Sequence, residues 1–128
     1  MALSSAKRRH IVRPDFALPR NMTIATGVSI YEGAIVAMNG SGELEIPDNS
    51  NAVIGVAYEN GSAGEQIRVQ YRHIERFTLS GATQANNGAL VYATSDDTLT
   101  YTPGTSIVGR QVDVVSTNTI LLEITCGA

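Results

Sequence analysis

The sequence contains little of what catalytic and metal-binding sites are usually built from. Its 128 residues include one cysteine, two histidines and no tryptophan. Cys126 has no partner in the chain for a disulfide, which favours synthesis in a reducing, cytosolic compartment. The longest apolar runs, such as residues 120–122, are far too short to cross a bilayer, so no membrane association is expected. The N-terminus also lacks the apolar core of a signal peptide, because its basic residues lead directly into HIVRPDF.

The histidines and the short motifs do not form a recognisable site. His10 and His73 are far apart, and neither has a carboxylate or cysteine at a metal-ligand spacing. Ser4 and Lys7 match the S-x-x-K pattern of serine acyl-transferases, but the companion motifs of that chemistry are missing. The DNSN segment, residues 48–51, lacks the glycine and the closing glutamate of an EF-hand loop. We therefore expect a protein that is not an enzyme, with no catalytic residues, no cofactor and no metal.

Positive charge is concentrated at the N-terminus. Residues 1–20 hold five of the nine basic residues and one acidic residue, a net charge of 5 − 1 = +4, while the remainder carries 4 − 11 = −7. Such an asymmetry indicates a tail that meets an acidic partner, although a solvated terminus would show it too. A body this acidic is not expected to bind nucleic acid specifically. The tail alone could contact phosphates, weakly and with strong dependence on salt.

Residues 1–20 are predicted to form an extended arm. Pro14 and Pro19 favour extended backbone and prevent the SSAKRRHIV segment from continuing as a helix. The arm also carries apolar side chains that a purely solvated tail would not need. Its predicted contact residues are Arg8, Arg9, Ile11, Val12, Arg13, Phe16 and Leu18.

The rest of the chain, residues 21–128, reads as a single all-β domain. Short β-branched segments alternate with Gly, Asn and Asp every eight to twelve residues, which is typical of a small sandwich or barrel of antiparallel strands. Ile67 and Val69 alternate with polar residues and predict a half-buried strand that follows a tight turn at Asn60-Gly61. Residues 110–126 predict two strands around a turn that contains Asn118.

The segment GAIVAMNGSGELEIP, residues 33–47, recurs as GALVYATSDDTLTYTP, residues 88–103. At an offset of 55 the glycine, the aliphatic residues and Leu44 find equivalents, and a shift of one residue pairs Pro47 with Pro103. A glycine permits a sharp entry into a strand, and a proline ends the ladder because it cannot donate a hydrogen bond. The sequence therefore predicts pseudo-repeated halves at about 22–72 and 73–126, with chance similarity of β-turn-β segments as the alternative.

Five motifs, in their order and spacing, carry a resemblance to a known family. They are a G-A-aliphatic-V strand at residues 33–36, an IGVA strand at 54–57, a Gly turn leading into I-x-V at 64–69, G-A-x-V-Y at 88–92, and the second aliphatic-glycine pair at 108–109. In these features the chain resembles the small head cement, or decoration, proteins of tailed double-stranded DNA bacteriophages. The resemblance covers roughly residues 22–126.

This resemblance implies a structural function. The protein would bind the outer surface of the expanded phage head in the virion and clamp neighbouring major capsid protein subunits against the pressure of packaged DNA. It would act as a homo-oligomer, a trimer in preference to a dimer. The sequence departs from the family in its longer, more basic arm and in Arg110-Gln111, where small apolar residues are usual.

A binding module is the alternative function. A β-sandwich that recognises carbohydrate or a host surface usually places aromatic platforms on its loops. Here most of the five tyrosines fall within strand patterns and tryptophan is absent, so this class fits the sequence less well.

Overall fold

The structure is a computed structural model of the 128-residue chain, and it describes residues 20–70 and 72–127. The strands in this part of the chain are β1 (Arg20–Thr23), β2 (Ser29–Ile30), β3 (Ile35–Met38), β4 (Leu44–Glu45), β5 (Ala52–Ala57), β6 (Gly61–Ser62), β7 (Gln66–Gln70), β8 (Ile74–Thr78), β9 (Leu90–Ala93), β10 (Leu99–Thr100), β11 (Ile107–Ser116) and β12 (Thr119–Ile124). Its helical content is one turn of 3-10 helix at Gln84–Asn86. The predicted all-β fold is confirmed.

The strands form two five-stranded sheets and one two-stranded sheet. The first sheet has the order β1-β7-β5-β3-β4, and the second, read from β8, has the order β8-β12-β11-β9-β10. The small sheet joins β2 to β6. All of these ladders are antiparallel. Two sheets of short antiparallel strands that share a core make a small β-sandwich, as predicted.

The sequence repeat is a repeat of topology. Residues 35–38, 44–45 and 52–57 form β3, β4 and β5, and their counterparts about 55 positions later form β9, β10 and β11. The flanking strands β1 and β7 correspond in the same way to β8 and β12. Each half therefore builds one five-stranded sheet, and the order of corresponding strands is identical in the two sheets. A shared strand order favours a true repeat over chance similarity between short segments.

The first half contains a β-bulge between its two central strands. Val36 on β3 lies opposite Gly55 on β5, whereas the next residue, Ala37, lies opposite Val53. Ile54 is thereby the extra residue on the bulged strand, and such an insertion bends the strand and increases its twist.

The second half repeats this bulge at the corresponding position. Val91 on β9 lies opposite Gly109 on β11, and Tyr92 lies opposite Ile107, which leaves Val108 as the extra residue. Each bulge therefore falls at an aliphatic-aliphatic-glycine motif of the sequence, at residues 53–55 and 107–109.

The two glycines that precede the repeated strands adopt the same backbone conformation. Gly33 has φ 89° and Gly88 has φ 88°, a region that side chains with a Cβ rarely occupy. The Gly33 amide donates to the Ala57 carbonyl at 2.8 Å, and the Gly88 amide donates to the Gln111 carbonyl at 2.7 Å. The sharp strand entry predicted at both glycines is confirmed.

Two hydrophobic clusters fill the interior. The cluster of the first half contains Ile24, Ile30, Ala34, Val36, Leu44, Ile54, Ala57, Ile67 and Val69. The shared cluster combines Ile35, Val53 and Val56 with Phe77, Leu79, Ala82, Val91, Ala93, Leu99, Val108, Ile120, Leu122 and Ile124 of the second half. Because successive side chains of a strand point to opposite faces, β3 places Val36 in one cluster and Ile35 in the other.

A polar joint connects the loops that lead into β5 and β11. The Asn49 carbonyl accepts from the Thr105 amide at 2.9 Å, and the fully buried Ser106 hydroxyl donates to the Asn51 carbonyl at 2.6 Å. The DNSN segment thus has a structural role, because it fastens the first half of the chain to the second.

The turn predicted at Asn60-Gly61 is wrong. Gly61 lies in β6 without a positive φ, and the positive φ occurs at Gly64, where the chain turns into β7. A Cβ at Gly61 would approach side-chain atoms of Ile24 and Ile67 to 2.6 Å each. The sequence therefore has glycine at position 61 for close packing.

One other predicted position is also corrected. Arg20, placed at the end of the arm, is the first residue of β1. Cys126 follows β12 with φ 55°. Asn118 lies in the turn between β11 and β12 as predicted, and its side-chain oxygen accepts from the Gly81 amide at 3.3 Å.

Candidate functional site

The predicted capsid-contact residues lie outside the described part of the chain. This applies to all of them: Arg8, Arg9, Ile11, Val12, Arg13, Phe16 and Leu18. The first described residue, Arg20, is the start of the edge strand β1.

The register of β1 fixes which end of β7 lies beside Arg20. Arg20 lies opposite Val69, and Thr23 lies opposite Gln66, because β1 and β7 are antiparallel. β1 therefore begins beside the C-terminal end of β7. The next described residues beyond that end are Arg72 and His73, which we call the crossover because they lead into the second sheet.

The crossover is held by backbone hydrogen bonds to β12. Arg72 has φ 64°, and its amide donates to the Ile124 carbonyl at 2.7 Å, while the Ile124 amide donates to the His73 carbonyl at 2.8 Å. His73 directly precedes β8, which begins at Ile74. The crossover is thus a fixed corner between the two sheets.

An open cleft lies where the first sheet meets the start of β8. Its volume is about 420 Å³, and it is lined by Glu32, Gly33, Val56, Ala57, Tyr58, Arg68 and Glu75. Tyr58 follows β5 directly, and its amide donates to the Arg68 carbonyl at 2.9 Å. The Glu32 amide donates to the Asn60 side chain at 2.8 Å, which fixes the loop on the opposite side.

His73 backs the cleft beside Tyr58 and Glu75. Its Nε2 atom lies 3.0 Å from the Glu75 carboxylate, and its side chain is only 15% exposed. Its ring centroid is 6.3 Å from that of Tyr58, with the rings tilted by 55°. The buried Nδ1 atom has no hydrogen-bond partner within residues 20–70 and 72–127. This histidine therefore orients Glu75 at the cleft wall.

The cleft has an excess of negative charge. Arg68 pairs with Glu59 at 3.3 Å, and Glu75 pairs with His73. Within the two described ranges these are the ion pairs that form, so the Glu32 carboxylate belongs to none. Burial, and to a smaller extent the Glu75 charge, raises the pKa of Tyr58 above its ordinary value of 10.0.

Carboxylates around an aromatic ring suit a cationic group. A guanidinium or ammonium can lie against the face of a tyrosine while its N–H groups donate to the carboxylates. No group of three or more His, Cys, Asp or Glu residues suited to a metal ion occurs in the described ranges. The cleft therefore places one tyrosine ring beside the carboxylates of Glu32 and Glu75.

Sequence reasoning missed this cleft. No sequence motif connects His73 with Tyr58, and Glu32 lies more than forty positions from Glu75. A signal that could have pointed to the site is the position of YRHIER at the junction of the two halves, because a junction between repeated sheets brings distant segments together.

Three large aliphatic residues are exposed on strands β8 and β11 of the second half. Ile74 is 55% exposed, and Val112 and Val115 are each 44% exposed. Large exposed aliphatic residues on a strand are candidates for contact with a partner.

No helix within the described ranges has the length and apolar character that spanning a bilayer requires. Comparison with known protein families and with curated proteins gives no match for this chain.

Proposed function

We propose that the protein is a capsid cement, or decoration, protein that binds the outer surface of an expanded phage head. The observation that carries this proposal is the duplicated, hydrogen-bonded β body, whose edge strand β1 begins directly after the basic, partly apolar sequence of residues 1–19. A rigid body with an extended arm is suited to linking neighbouring subunits of a shell. Catalysis has no part in this proposal.

The proposed partner is the major capsid protein. An extended arm can add a strand to an exposed sheet edge on a neighbour, and its main-chain hydrogen bonds then supply affinity. Each exposed ion pair made by an arginine of the arm is worth only about 0–1 kcal/mol. A homo-oligomer, a trimer in preference to a dimer, compensates for weak single contacts, because simultaneous attachment raises avidity by about 10²-fold or more.

Binding to expanded heads tests the proposal. Purified protein should co-sediment with heads that lack it and raise their resistance to heat. Deletion of residues 1–19 should weaken co-sedimentation at least about tenfold, while the far-ultraviolet circular dichroism of the β body stays unchanged. A second variant, with Ile11, Val12, Phe16 and Leu18 replaced by serine, keeps the charge of the arm and isolates its apolar contribution. Full-length protein that remains in the supernatant at saturating concentration would overturn the proposal.

A module that binds carbohydrate or a host surface is the second candidate. The observation favouring it is the open cleft with a tyrosine and several polar side chains on its walls. Saturation-transfer NMR against a panel of neutral and acidic glycans would identify such a module, with Tyr58→Ala as the variant expected to abolish transfer. Transfer from no glycan in the panel would remove this candidate.

A further inference from the structure

The cleft beside β8 contains carboxylate oxygens that have no partner among the described residues. The side chain and the amide of Arg68 both donate to one oxygen, Oε1 of Glu59, at 3.3 and 2.9 Å, so this pair is neutral. Oε1 of Glu75 lies 3.0 Å from His73 Nε2, and Oε2 of Glu75 has no contact of this kind in the two described ranges. The Glu32 carboxylate has neither a hydrogen bond nor an ion pair there. Oxygens of two carboxylates are therefore available to a further donor.

A neutral His73 leaves the charge of Glu75 in place. Its Nε2 atom contacts the Glu75 carboxylate, while its buried Nδ1 atom has no partner among the described residues. An imidazolium would carry its second proton on that Nδ1 atom, whereas a neutral ring with its proton on Nε2 donates to Glu75 and leaves Nδ1 bare. Glu32 and Glu75 therefore give the cleft negative charge that Arg68, already paired with Glu59, does not balance.

The other walls of the cleft are apolar and aromatic. Val56 and Ala57 are buried and line it together with Tyr58. The volume of about 420 Å³ lies within the range of small-ligand sites, roughly 300–1,000 Å³. A cation gains electrostatic attraction over a tyrosine ring. An ammonium group is strongly hydrated and loses much of its water against such walls, whereas a guanidinium is weakly hydrated, stacks on a ring and donates in its own plane.

We propose that this cleft is a binding site for a guanidinium group, with Glu32 and Glu75 as its acceptors and the Tyr58 ring as the surface on which the group lies. The group belongs to a small molecule or to an arginine of a partner protein, which share this chemistry. His73 is a positioning residue, because it contacts Glu75. The site does not depend on capsid binding: failure to bind phage heads leaves it intact, and its failure leaves capsid binding intact.

Titration of the full-length, ¹⁵N-labelled protein with N-butylguanidinium tests the site. We expect saturating amide shifts at Gly33, Ala57 and Tyr58 with a dissociation constant of about 1 mM, as for other ligands of this size. N-butylurea has the same planar shape without the charge and should bind at least about tenfold more weakly. N-butylammonium keeps the charge but not the plane, and its affinity should lie between the two.

Substitutions in the cleft identify the acceptors. Glu32→Gln and Glu75→Gln should each weaken the binding of N-butylguanidinium about tenfold, because each removes a charge-assisted hydrogen bond. Tyr58→Leu keeps an apolar wall and removes the ring face, which should weaken binding about threefold. The matched control is Glu123→Gln, which removes one charge from β12 outside the cleft lining and should leave the affinity within about twofold. Amide spectra that match the wild type show that each variant is folded.

A blocked tripeptide, acetyl-Gly-Arg-Gly-amide, distinguishes the two sources of the guanidinium. It presents arginine as a protein chain does, whereas N-butylguanidinium has no main chain. Tighter binding of the tripeptide assigns the site to a partner protein, and weaker binding assigns it to a small molecule.

Three results would overturn the proposal. The first is the absence of saturating shifts in the cleft when N-butylguanidinium reaches about ten times the expected dissociation constant. The second is equal affinity for N-butylguanidinium and N-butylurea, because the carboxylates would then have no part in binding. The third is an affinity that neither Glu32→Gln nor Glu75→Gln lowers.

Discussion

Tyr58 shows how the surroundings of a single residue change its chemistry. The same side chain on an exposed loop would titrate as an ordinary phenol, but beside Glu75 it is partly removed from water and its pKa is raised. A raised pKa means that the folded state holds the phenolic proton more tightly than the unfolded chain does. The stabilisation is therefore complete below pH 10 and is lost as the pH rises through the folded-state pKa.

We expect Tyr58→Phe to flatten the alkaline dependence of stability. Wild-type protein should lose unfolding free energy as the pH rises above 10, partly through Tyr58, and the phenylalanine variant lacks that contribution. Urea unfolding followed by circular dichroism at several pH values measures the slope. The control is Tyr31→Phe, whose ring is 66% exposed and lies outside the cleft lining. Equal slopes for wild type and Tyr58→Phe would contradict the expectation.

At the scale of single residues, the sequence indicated little of the candidate site. Tyr58, His73 and Glu75 are common residue types in common strand contexts, and no spacing rule connects them. Their significance comes from the corner that the crossover makes between the two sheets, where backbone hydrogen bonds to Ile124 hold the corner in place.

Strand pairs in the two halves share a requirement for glycine. A Cβ at Gly55 would collide with the Gln70 carbonyl on β7, and a Cβ at Gly109 would collide with the Glu123 carbonyl on β12. Both glycines follow the extra residue of a bulge. Each bulge therefore brings its strand so close to the neighbouring strand that only glycine fits.

Gly109→Ala should destabilise the protein by about 3 kcal/mol or more, because the methyl group meets backbone, which cannot rotate away as a side chain can. The free energy of unfolding in urea measures the effect. Gly40→Ala is the matched control, since the added Cβ has nothing within 4 Å and the backbone has no positive φ. We expect a change within about 0.5 kcal/mol there, and a similarly small change at Gly109 would show that β11 and β12 can separate without cost.

Most strands and turns were predictable from the sequence, because the alternation of apolar and polar residues and the preferences of turn residues depend on neighbouring positions. The β-strand character of Ile67 and Val69, the hairpin around Asn118 and the glycine entries at positions 33 and 88 all follow from neighbouring residues. Asn60-Gly61 was mispredicted for the opposite reason. Gly61 is required because the side chains of Ile24 and Ile67, which are distant in sequence, leave no room for a Cβ. Turn preferences depend on neighbouring residues only, so they do not predict such a contact.

The whole molecule is asymmetric although its halves correspond. Ile35 is fully buried in the shared cluster, whereas its counterpart Leu90 is only partly buried. Ile35 of the first sheet thus packs against the hydrophobic residues of the second half. Leu90 of the second sheet does not belong to either buried cluster. Each half depends on the other for part of its core.

We expect the two halves to unfold in a single transition. Amide signals of Ile24 in the first half and Leu122 in the second should disappear at the same urea concentration. Ile35→Ala should lower the stability of both by about 2–5 kcal/mol, the range for removing a fully buried aliphatic side chain. Leu90→Ala, the equivalent change in the other half, should cost less because that side chain is already partly solvated. Separate midpoints for the two signals would show that the halves are independent.

The sequence by itself determined the fold class, the arm as a distinct basic segment, the duplicated strand pattern and the glycines that open each repeated strand. These features depend on residues close together in the chain, so periodicity and turn preferences reveal them. Only the tertiary structure decided that both halves use one strand order, that they share a cluster and that a cleft forms beside the start of β8. Those features arise from contacts between residues tens of positions apart, whose energies depend on burial and distance in the folded state.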